Sequence, residues 1–234
     1  MEEKETQVIT WINQLSQYQS INVFNPWRDY NPELDLAADS YLVRQKQLRQ
    51  YLLPRWGTAK YIIVAEAAGY QGARFTGIAI TCERMLLGYH SVVQADAVFL
   101  GSKERTSNPD SSLLNERQKE QGFLEPTDTV VWRALLENAV RPEEAILWNI
   151  FPFHPHKSGQ PLTNRTPTKD ELQVGLSYMG GLLQYHPKAQ IIAVGRKAAD
   201  TLQAAGYNVL VTRHPANGGA RLYAEQFKKI IQGR

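Results

Sequence analysis

Three polar side chains that could do chemistry follow three apolar segments of the chain. Glu66 comes directly after the run YIIVA, Asn149 lies near the end of the run AILWNI, and His214 follows the run NVLVT. A carboxylate can position or deprotonate water, a planar amide can pair with a planar edge, and a neutral imidazole can donate to a developing anion. If the three runs are parallel strands, their carboxyl ends meet at one edge of a sheet, where ligands bind. Taken singly, each residue also has a structural explanation: a solvated Glu in a turn, an Asn that anchors a loop, or a His bonded to backbone.

The segment after Glu66 is punctuated by Gly69, Gly72 and Gly77 and contains an aromatic residue, Phe75. Glycines permit close approach of backbone to a ligand, and an aromatic ring can stack on a planar one. A Phe in such a loop can instead fill the core. This segment, together with Glu66, is the first candidate for a binding loop.

The amide of Asn149 indicates one kind of ligand. It offers a donor and an acceptor in one plane, which matches a carbonyl beside an N–H, as in O4 and N3 of uracil. His154 and His156 form an H-x-H pair, but no carboxylates accompany it in a metal-site pattern. The chain has no phosphate-binding P-loop, dinucleotide-binding G-x-G-x-x-G, serine-hydrolase elbow or H-E-x-x-H zinc motif. We therefore expect no metal and no other cofactor.

The chain has 234 residues, of which 43% are hydrophobic and 21% charged. This length and composition fit one sizeable α/β domain, or a domain and a half. A single cysteine, Cys82, fits a reducing compartment, and the charged N-terminus lacks the apolar region of a signal peptide. No apolar run approaches the roughly 20 residues of a membrane span. We thus expect a cytoplasmic protein without membrane contact.

Charge is unevenly distributed along the chain. From Phe151 onward there are 11 Lys and Arg against 4 Asp and Glu, whereas the whole chain has a net charge of only +3. Such asymmetry is a pointer to a polyanionic partner. The arginines that could hold phosphates are Arg74, Arg165, Arg213 and Arg221.

Strand and helix patterns alternate along most of the chain, which predicts a parallel sheet with helices on both faces. The predicted strands are 61–65, 145–150, 190–194 and 208–212. The predicted helices are 6–18, 34–53, 80–87, 168–185, 195–205, 220–232 and one that Thr127 or Asp128 caps and that runs to about residue 140. Residues 97–100 fit a short strand or part of an irregular excursion, and residues 103–110 read as a polar, mobile segment.

Three pieces of sequence, AEAAGYQGARFTG, LWN and RHP, resemble in order and spacing the motifs of the uracil-DNA glycosylase superfamily. The resemblance covers the chain from Tyr61 onward. The first piece is similar to the G-E-A-P-G start of the bacterial and archaeal branches, and FPFHPHKSG and RHPANGGARLY look like a glycosylase-like subgroup. Family membership implies a three-layer α/β/α fold around a four-stranded parallel sheet of order 2-1-3-4. Residues 1–234 would form one domain, with residues 1–57 as a helical extension packed on it.

The resemblance also implies an activity: hydrolysis of the N-glycosidic bond of uracil, or a related deaminated base, in DNA during base excision repair, by a monomer without a cofactor. Its catalytic residues would be Glu66 and His214. Its base-binding residues would be Ala67, Gly69, Tyr70, Phe75 and Asn149. Its DNA-binding residues would be Arg74, Arg165, Arg213, Asn217 and Arg221.

The sequence departs from the family pattern in the first motif. Ala65 and Ala68 replace the usual Gly and Pro, and Ala67 stands where the best-studied branch has a catalytic Asp, so Glu66 is the nearest carboxylate. The four cysteines that hold an iron–sulfur cluster in one branch are absent. Two alternatives stay open at this point: a non-catalytic nucleic-acid-binding relative of the same fold, and an N-glycosidase of free nucleosides.

Overall fold

A computed structural model describes residues 2–233 of the protein, and its centre is a four-stranded parallel sheet. The strands of the chain are β1 (Val23–Phe24), β2 (Tyr61–Ala67), β3 (Ala145–Phe151), β4 (His154–Pro155), β5 (Gln190–Val194) and β6 (Val209–Thr212). The main sheet has the order β3-β2-β5-β6, while β1 and β4 form a separate antiparallel pair. Counted within the main sheet, this is the predicted order 2-1-3-4, which is confirmed.

Helices cover both faces of the sheet. They are α1 (Glu2–Ser16), α2 (Ser40–Leu52), α3 (Ala73–Thr76), α4 (Glu83–Leu86), α5 (Ala95–Val98), α6 (Glu116–Gln121), α7 (Pro126–Glu137), α8 (Lys169–Gln184), α9 (Arg196–Ala204) and α10 (Ala220–Ile231). Helix α8 packs on β3 and α9 packs on β5 and β6, whereas α10 packs on β6 and α7. The predicted three-layer α/β/α architecture is therefore confirmed.

Strand β2 occupies the middle of the sheet because it pairs with β3 on one side and β5 on the other. The interiors of β2, β3 and β5 are buried on both faces, which is why these segments read as continuous apolar runs. One core cluster extends from Val8 of α1 to Phe227 of α10. Helix α1 joins that core through Trp11, whose ring centroid lies 4.8 Å from that of Trp148.

A buried ionic cluster connects the N-terminal part of the chain to the loop that follows β2. Asp35 Oδ1 accepts hydrogen bonds from Arg44 Nη1 at 3.0 Å and from Arg74 Nη1 at 2.9 Å, and all three side chains are fully enclosed. One carboxylate thus faces two guanidinium groups away from water. Since a buried ion needs its partner, this cluster fixes α3 relative to α2.

Several elements differ from the sequence-based predictions. Residues 97–100 form no strand, because 95–98 are the short helix α5. The segment 103–110, which the sequence predicted to be mobile, is anchored to the core. Thr106 and Ser107 are buried, and the backbone N–H groups of both residues donate to Glu83 Oε1 at 2.9 Å. The predicted helix 80–87 begins only at Glu83, since Ile80 has a left-handed φ of 52° that no regular helix contains.

Helix α7 begins at Pro126, before both residues that the sequence predicted as its cap, Thr127 and Asp128. Pro126 occupies its first turn, a position that suits Pro because the missing N–H has no helical acceptor there. Asp128 is therefore inside the helix and buried rather than capping it. In contrast, the predicted cap of α8 is confirmed, with Thr168 and Glu171 forming a capping box. Among residues 2–233, no helix combines the length and apolar character needed to cross a membrane.

Candidate active site

A cleft of about 380 Å³ opens at the carboxyl edge of the sheet. Glu66, Asn149 and His214 all line it, together with Ala67 and Gly69 of the first motif. The sheet topology causes this convergence, because parallel strands end at a common edge. The three residues singled out from sequence thus share one cavity.

Asn149 is 3% exposed and faces the layer of helix α7. The preceding residue, Trp148, packs against Trp11 of α1 in the other layer, and successive strand residues point to opposite faces. Within the described chain, the amide of Asn149 makes no hydrogen bond to protein, although it lines the cleft. An Asn that anchors a loop would make such a bond. The free donor and acceptor instead fit a ligand.

Glu66 lies at the end of β2 with its carboxylate in the cleft. Its Oε2 is 3.6 Å from Nζ of Lys197 in α9, and that ammonium also donates to Thr166 Oγ1 at 3.1 Å. The carboxylate is half-buried and is held by one cation, with room for water beside it. This arrangement suits a group that orients water.

His214 presents one ring nitrogen to the cleft. Its Nδ1 accepts the backbone N–H of Ala216 at 3.1 Å, so the proton of the neutral ring lies on Nε2. Burial, and then the neighbouring Arg213, lower the pKa of His214, which favours the neutral ring at pH 7. A neutral imidazole with a free Nε2–H is a hydrogen-bond donor for a developing anion.

Two glycines allow the His214 loop to take this shape. A β carbon on Gly195, whose φ is 90°, would lie 2.9 Å from His214 Cβ. A β carbon on Gly219 would lie 2.0 Å from the His214 carbonyl oxygen, which is a severe clash. Side chains at these positions would therefore displace the imidazole.

The backbone donors of the first motif are partly used by the protein. The N–H of Ala68 donates to the Phe151 carbonyl at 3.2 Å, and the N–H of Tyr70 donates to Asn164 Oδ1 at 3.0 Å. Between them, the N–H of Gly69 has no acceptor within the described part of the chain. The N–H of Ala73 also has no acceptor there, and both Gly69 and Ala73 line the cleft, so these two residues offer the backbone donors of the motif to an anion.

The assignment of Phe75 as a base-stacking residue is not supported by its position. Its ring is fully buried and stacks on Phe123, with centroids 4.4 Å apart and planes 13° apart. It belongs to a small apolar cluster with Leu34 and Leu114 and does not line the cleft. Tyr70 also lies outside the cleft lining, with its ring edge-on to Phe123.

The assignment of Arg74 as a phosphate ligand is wrong, because its guanidinium is enclosed and paired with Asp35. Its cation also lies 4.0 Å from the ring centroid of Phe24. Burial beside a carboxylate and an aromatic ring gives Arg74 a structural role. Its position inside the glycine-rich first motif made it look accessible.

The remaining predicted DNA contacts lie on the cleft rim or outside it. Arg165 lines the cleft, but its guanidinium binds both oxygens of Glu171, at 2.7 and 2.6 Å. Arg221 is exposed and pairs with Glu225 at 2.9 Å. Arg213 and Asn217 are exposed, and Asn217 takes a left-handed φ of 53° at the tip of its loop. Their contact with DNA stays a prediction.

Two carboxyl groups in the cleft were missed by the sequence reasoning. Glu125 and Asp128, at the start of α7, both line it. Burial raises the pKa of Glu125 to about 7, and burial and then the charge of Glu125 raise the pKa of Asp128 well above its usual range. One signal in the sequence was Pro126: because Pro favours the first turn of a helix, it places the helix start before Asp128 and so puts Asp128 inside the helix.

No metal site accompanies these groups: in the part of the chain that the structure describes, no three His, Cys, Asp or Glu side chains are grouped to hold an ion. His154 of the H-x-H pair is buried, with Nε2 2.8 Å from the Thr163 carbonyl oxygen. Burial lowers its pKa to about 3, so the ring is neutral and structural.

Comparisons with known proteins agree with this architecture. A profile of the uracil DNA glycosylase superfamily matches residues 87–232, which begins after Glu66 and includes Asn149 and His214. The solved structure of wild-type SMUG2 from Pedobacter heparinus is similar in fold, with a TM-score of 0.63 and 12% sequence identity over 98% of this chain and 97% of that chain. A comparison with curated protein sequences gave no match. Because the profile covers more than half of the chain, the protein belongs to the uracil DNA glycosylase superfamily.

Proposed function

We propose that this protein is a DNA glycosylase that hydrolyses the N-glycosidic bond of uracil, or of a related deaminated base, in DNA. The observation that carries the proposal is the convergence of Glu66, Asn149 and His214 in one cleft of a chain that belongs to this superfamily. Such a cleft is too narrow for a paired duplex, so the target nucleotide must leave the base stack to enter it. Extrusion of this kind costs a few kcal/mol and is general among enzymes that act on bases.

Asn149 would read the extruded base. Its amide N–H would donate to O4 of uracil, and its amide oxygen would accept the N3 hydrogen. Cytosine presents the reverse pattern, a donor at N4 and an acceptor at N3. A buried site that hydrogen-bonds one pattern rejects the other strongly, since its own polar groups are left unpaired.

His214 and Glu66 would act on the bond itself. When the bond between C1′ and N1 breaks, its electron pair moves into the base and the sugar becomes cationic. The Nε2–H of His214 would donate to the base as its negative charge develops. Glu66 would orient a water toward C1′ and accept a proton from it as the new C–O bond forms.

The DNA backbone would lie along the rim that carries Arg213 and Asn217. The excess of basic residues from Phe151 onward supports this choice, since it includes the loop after β6 and helix α10. Phosphate contacts of this type position a nucleic acid without reading its sequence.

The proposal is tested with matched oligonucleotides that carry uracil, cytosine or thymine at one position, single-stranded and paired. Abasic products are revealed by alkaline cleavage and gel electrophoresis. Excision of uracil alone supports the proposal. Binding without excision would identify a non-catalytic relative, and activity on deoxyuridine but not on DNA would identify a nucleoside glycosidase.

A further inference from the structure

Glu125 and Asp128 form a close carboxyl pair in the cleft. Glu125 is the N-cap residue of α7, and Asp128 lies within the first turn. Both approach Gly72: Glu125 Oε2 and Asp128 Oδ2 lie 2.6 and 2.9 Å from the position that a β carbon on Gly72 would take. The two oxygens are therefore neighbours, and only a glycine at position 72 leaves room for them.

The pair lacks the partners that buried carboxylates normally have. Within residues 2–233, neither side chain accepts a hydrogen bond or forms an ion pair, and Asp128 Oδ2 is enclosed without a partner. Asp128 is 1% exposed and still lines the cleft. A carboxyl group in this situation either carries a proton or waits for a group on a ligand.

The charged and titratable groups around the pair do not neutralise it. Lys197 forms an ion pair with Glu66, and Arg165 forms one with Glu171. Neither cation therefore faces the pair. The other titratable residues that line the cleft are Glu66 and His214, and the buried thiol of Cys82 lies near the pair. Helix α10, which packs on α7, contributes the buried phenol of Tyr223. Burial raises the pKa of Cys82 to about 12 and that of Tyr223 above its usual range, so both are uncharged near pH 7. The charged side chains of α10 are exposed.

Two neighbouring carboxyls without a cation cannot both ionise near neutral pH. Ionisation of Glu125 further raises the pKa of Asp128, so the last proton of the pair resides on Asp128. Asp128 is then a neutral carboxylic acid with an O–H to donate, as other enzymes obtain by burying an acid.

The position of this acid indicates what it contacts. Helix α7 and Asn149 lie on the same side of the sheet, whereas Glu66, the next residue after Ala65 on β2, faces α9 through Lys197. Asp128 is thus in the half of the cleft that would hold the base, not in the half that would hold water.

We propose that Asp128, kept protonated by Glu125, donates a hydrogen bond to the excised base. This inference rests on the proposed function. As the bond between C1′ and N1 breaks and its electrons enter the base, the O–H of Asp128 stabilises a base carbonyl or ring nitrogen, in addition to the N–H of His214. No proton transfer from Asp128 is needed; the proton that the base finally takes up comes from water.

The test uses single-turnover excision rates from about pH 6 to about pH 9 for the parent protein and four variants. Asp128→Asn keeps a permanent donor, Asp128→Ala removes it, Glu125→Gln removes the charge that raises the pKa of Asp128, and Glu137→Gln changes an exposed acid of the same helix as a control. Circular dichroism and thermal unfolding check that each variant folds. At each pH, the rate of each protein is divided by the rate of Asp128→Asn. Any effect of substrate ionisation on the rates is common to all the proteins and drops out of this ratio.

Three results are expected. The parent rate falls with rising pH, about tenfold per unit once the last proton leaves, whereas Asp128→Asn has no such fall. Asp128→Ala is about 10²-fold slower than the parent near pH 7, as for the loss of one oxyanion donor. Glu125→Gln moves the fall to lower pH, and Glu137→Gln behaves as the parent.

The proposal is overturned if Asp128→Asn is as slow as Asp128→Ala, or if the parent rate rises with pH through Asp128, because the pair would then deprotonate water. If the parent excises no base, the proposed function is wrong, and binding decides this inference separately. The probe is DNA with 2′-fluoro-deoxyuridine, whose glycosidic bond resists cleavage, compared with the thymine-containing strand. The measured quantity is the preference of the protein for the uracil analogue over thymine. If this preference weakens as the pH rises in the parent but not in Asp128→Asn, Asp128 acts as a donor. If the preference of the parent does not change with pH, the proposal is overturned.

Discussion

Replacing Asn149 by Asp changes one atom of the group that we expect to read the base. The amide N–H that would donate to O4 becomes a carboxylate oxygen, and two acceptors then face each other in an enclosed site. Because the side chain is only 3% exposed and lies at the end of a buried strand, it has little freedom to turn away. The volume is nearly unchanged, so the fold is expected to survive.

The size of the effect follows from the hydrogen bond to O4, which the carboxylate cannot form. One hydrogen bond contributes about 0.5–1.5 kcal/mol, and leaving a buried acceptor unpaired costs about 1–3 kcal/mol more. A decrease of about 3 kcal/mol in transition-state stabilisation corresponds to a rate about 10²-fold lower. Discrimination between uracil and cytosine is expected to narrow as well, because a carboxylate accepts the N4 hydrogen of cytosine.

The assay is single-turnover excision at enzyme concentrations that saturate the DNA, so that DNA affinity does not enter the rate. Asn208→Asp is the matched control: it adds the same charge at an exposed residue that precedes β6, at the opposite edge of the sheet. Circular dichroism monitors folding. If folded Asn149→Asp excises uracil as fast as Asn208→Asp, Asn149 is a structural residue and the assignment of base reading fails.

Three further outcomes are expected. Glu66→Gln lowers the single-turnover rate by about 10²–10⁴-fold with DNA affinity nearly intact, and equal rates would show that another group orients the water. Arg213→Ala lowers the salt dependence of DNA affinity by about one unit of slope, measured by titration at several salt concentrations; an unchanged slope would remove Arg213 from the DNA contacts. Asp35→Asn lowers the free energy of unfolding by about 3–5 kcal/mol in denaturant titration, because two buried guanidinium groups lose their carboxylate; a decrease below about 1 kcal/mol would mean that water enters the cluster.

The sheet could be predicted from sequence because its strands are buried on both faces and read as short apolar runs. The same property singled out Asn149, which lines the cleft, since a polar residue near the end of such a run stands out from its neighbours. Glu66 and His214 were found for a related reason, because each lies within two residues of the end of a predicted strand. The strand order followed from the family resemblance and is confirmed.

The failures have a common physical cause: burial of side chains by distant parts of the chain. Arg74 and Phe75 looked accessible because they sit in a glycine-rich loop, but Asp35 and Phe123 cover them. Asp128 looked like a helix cap because capping residues are acidic or polar. Only the packing of α7 against the first motif, which no local pattern records, turns it into the cleft.

The central place of β2 limits how far the protein can be shortened. A chain reduced to residues 87–232, the part that matches the family profile, would keep β3 and β5 but lack the strand that joins them. Its two halves would each expose an unpaired strand edge, and such edges favour aggregation. Even a start at β2 would leave Arg74 buried without Asp35. The smallest soluble unit is therefore expected to begin before Asp35, and a library of N-terminal truncations should lose soluble protein abruptly there.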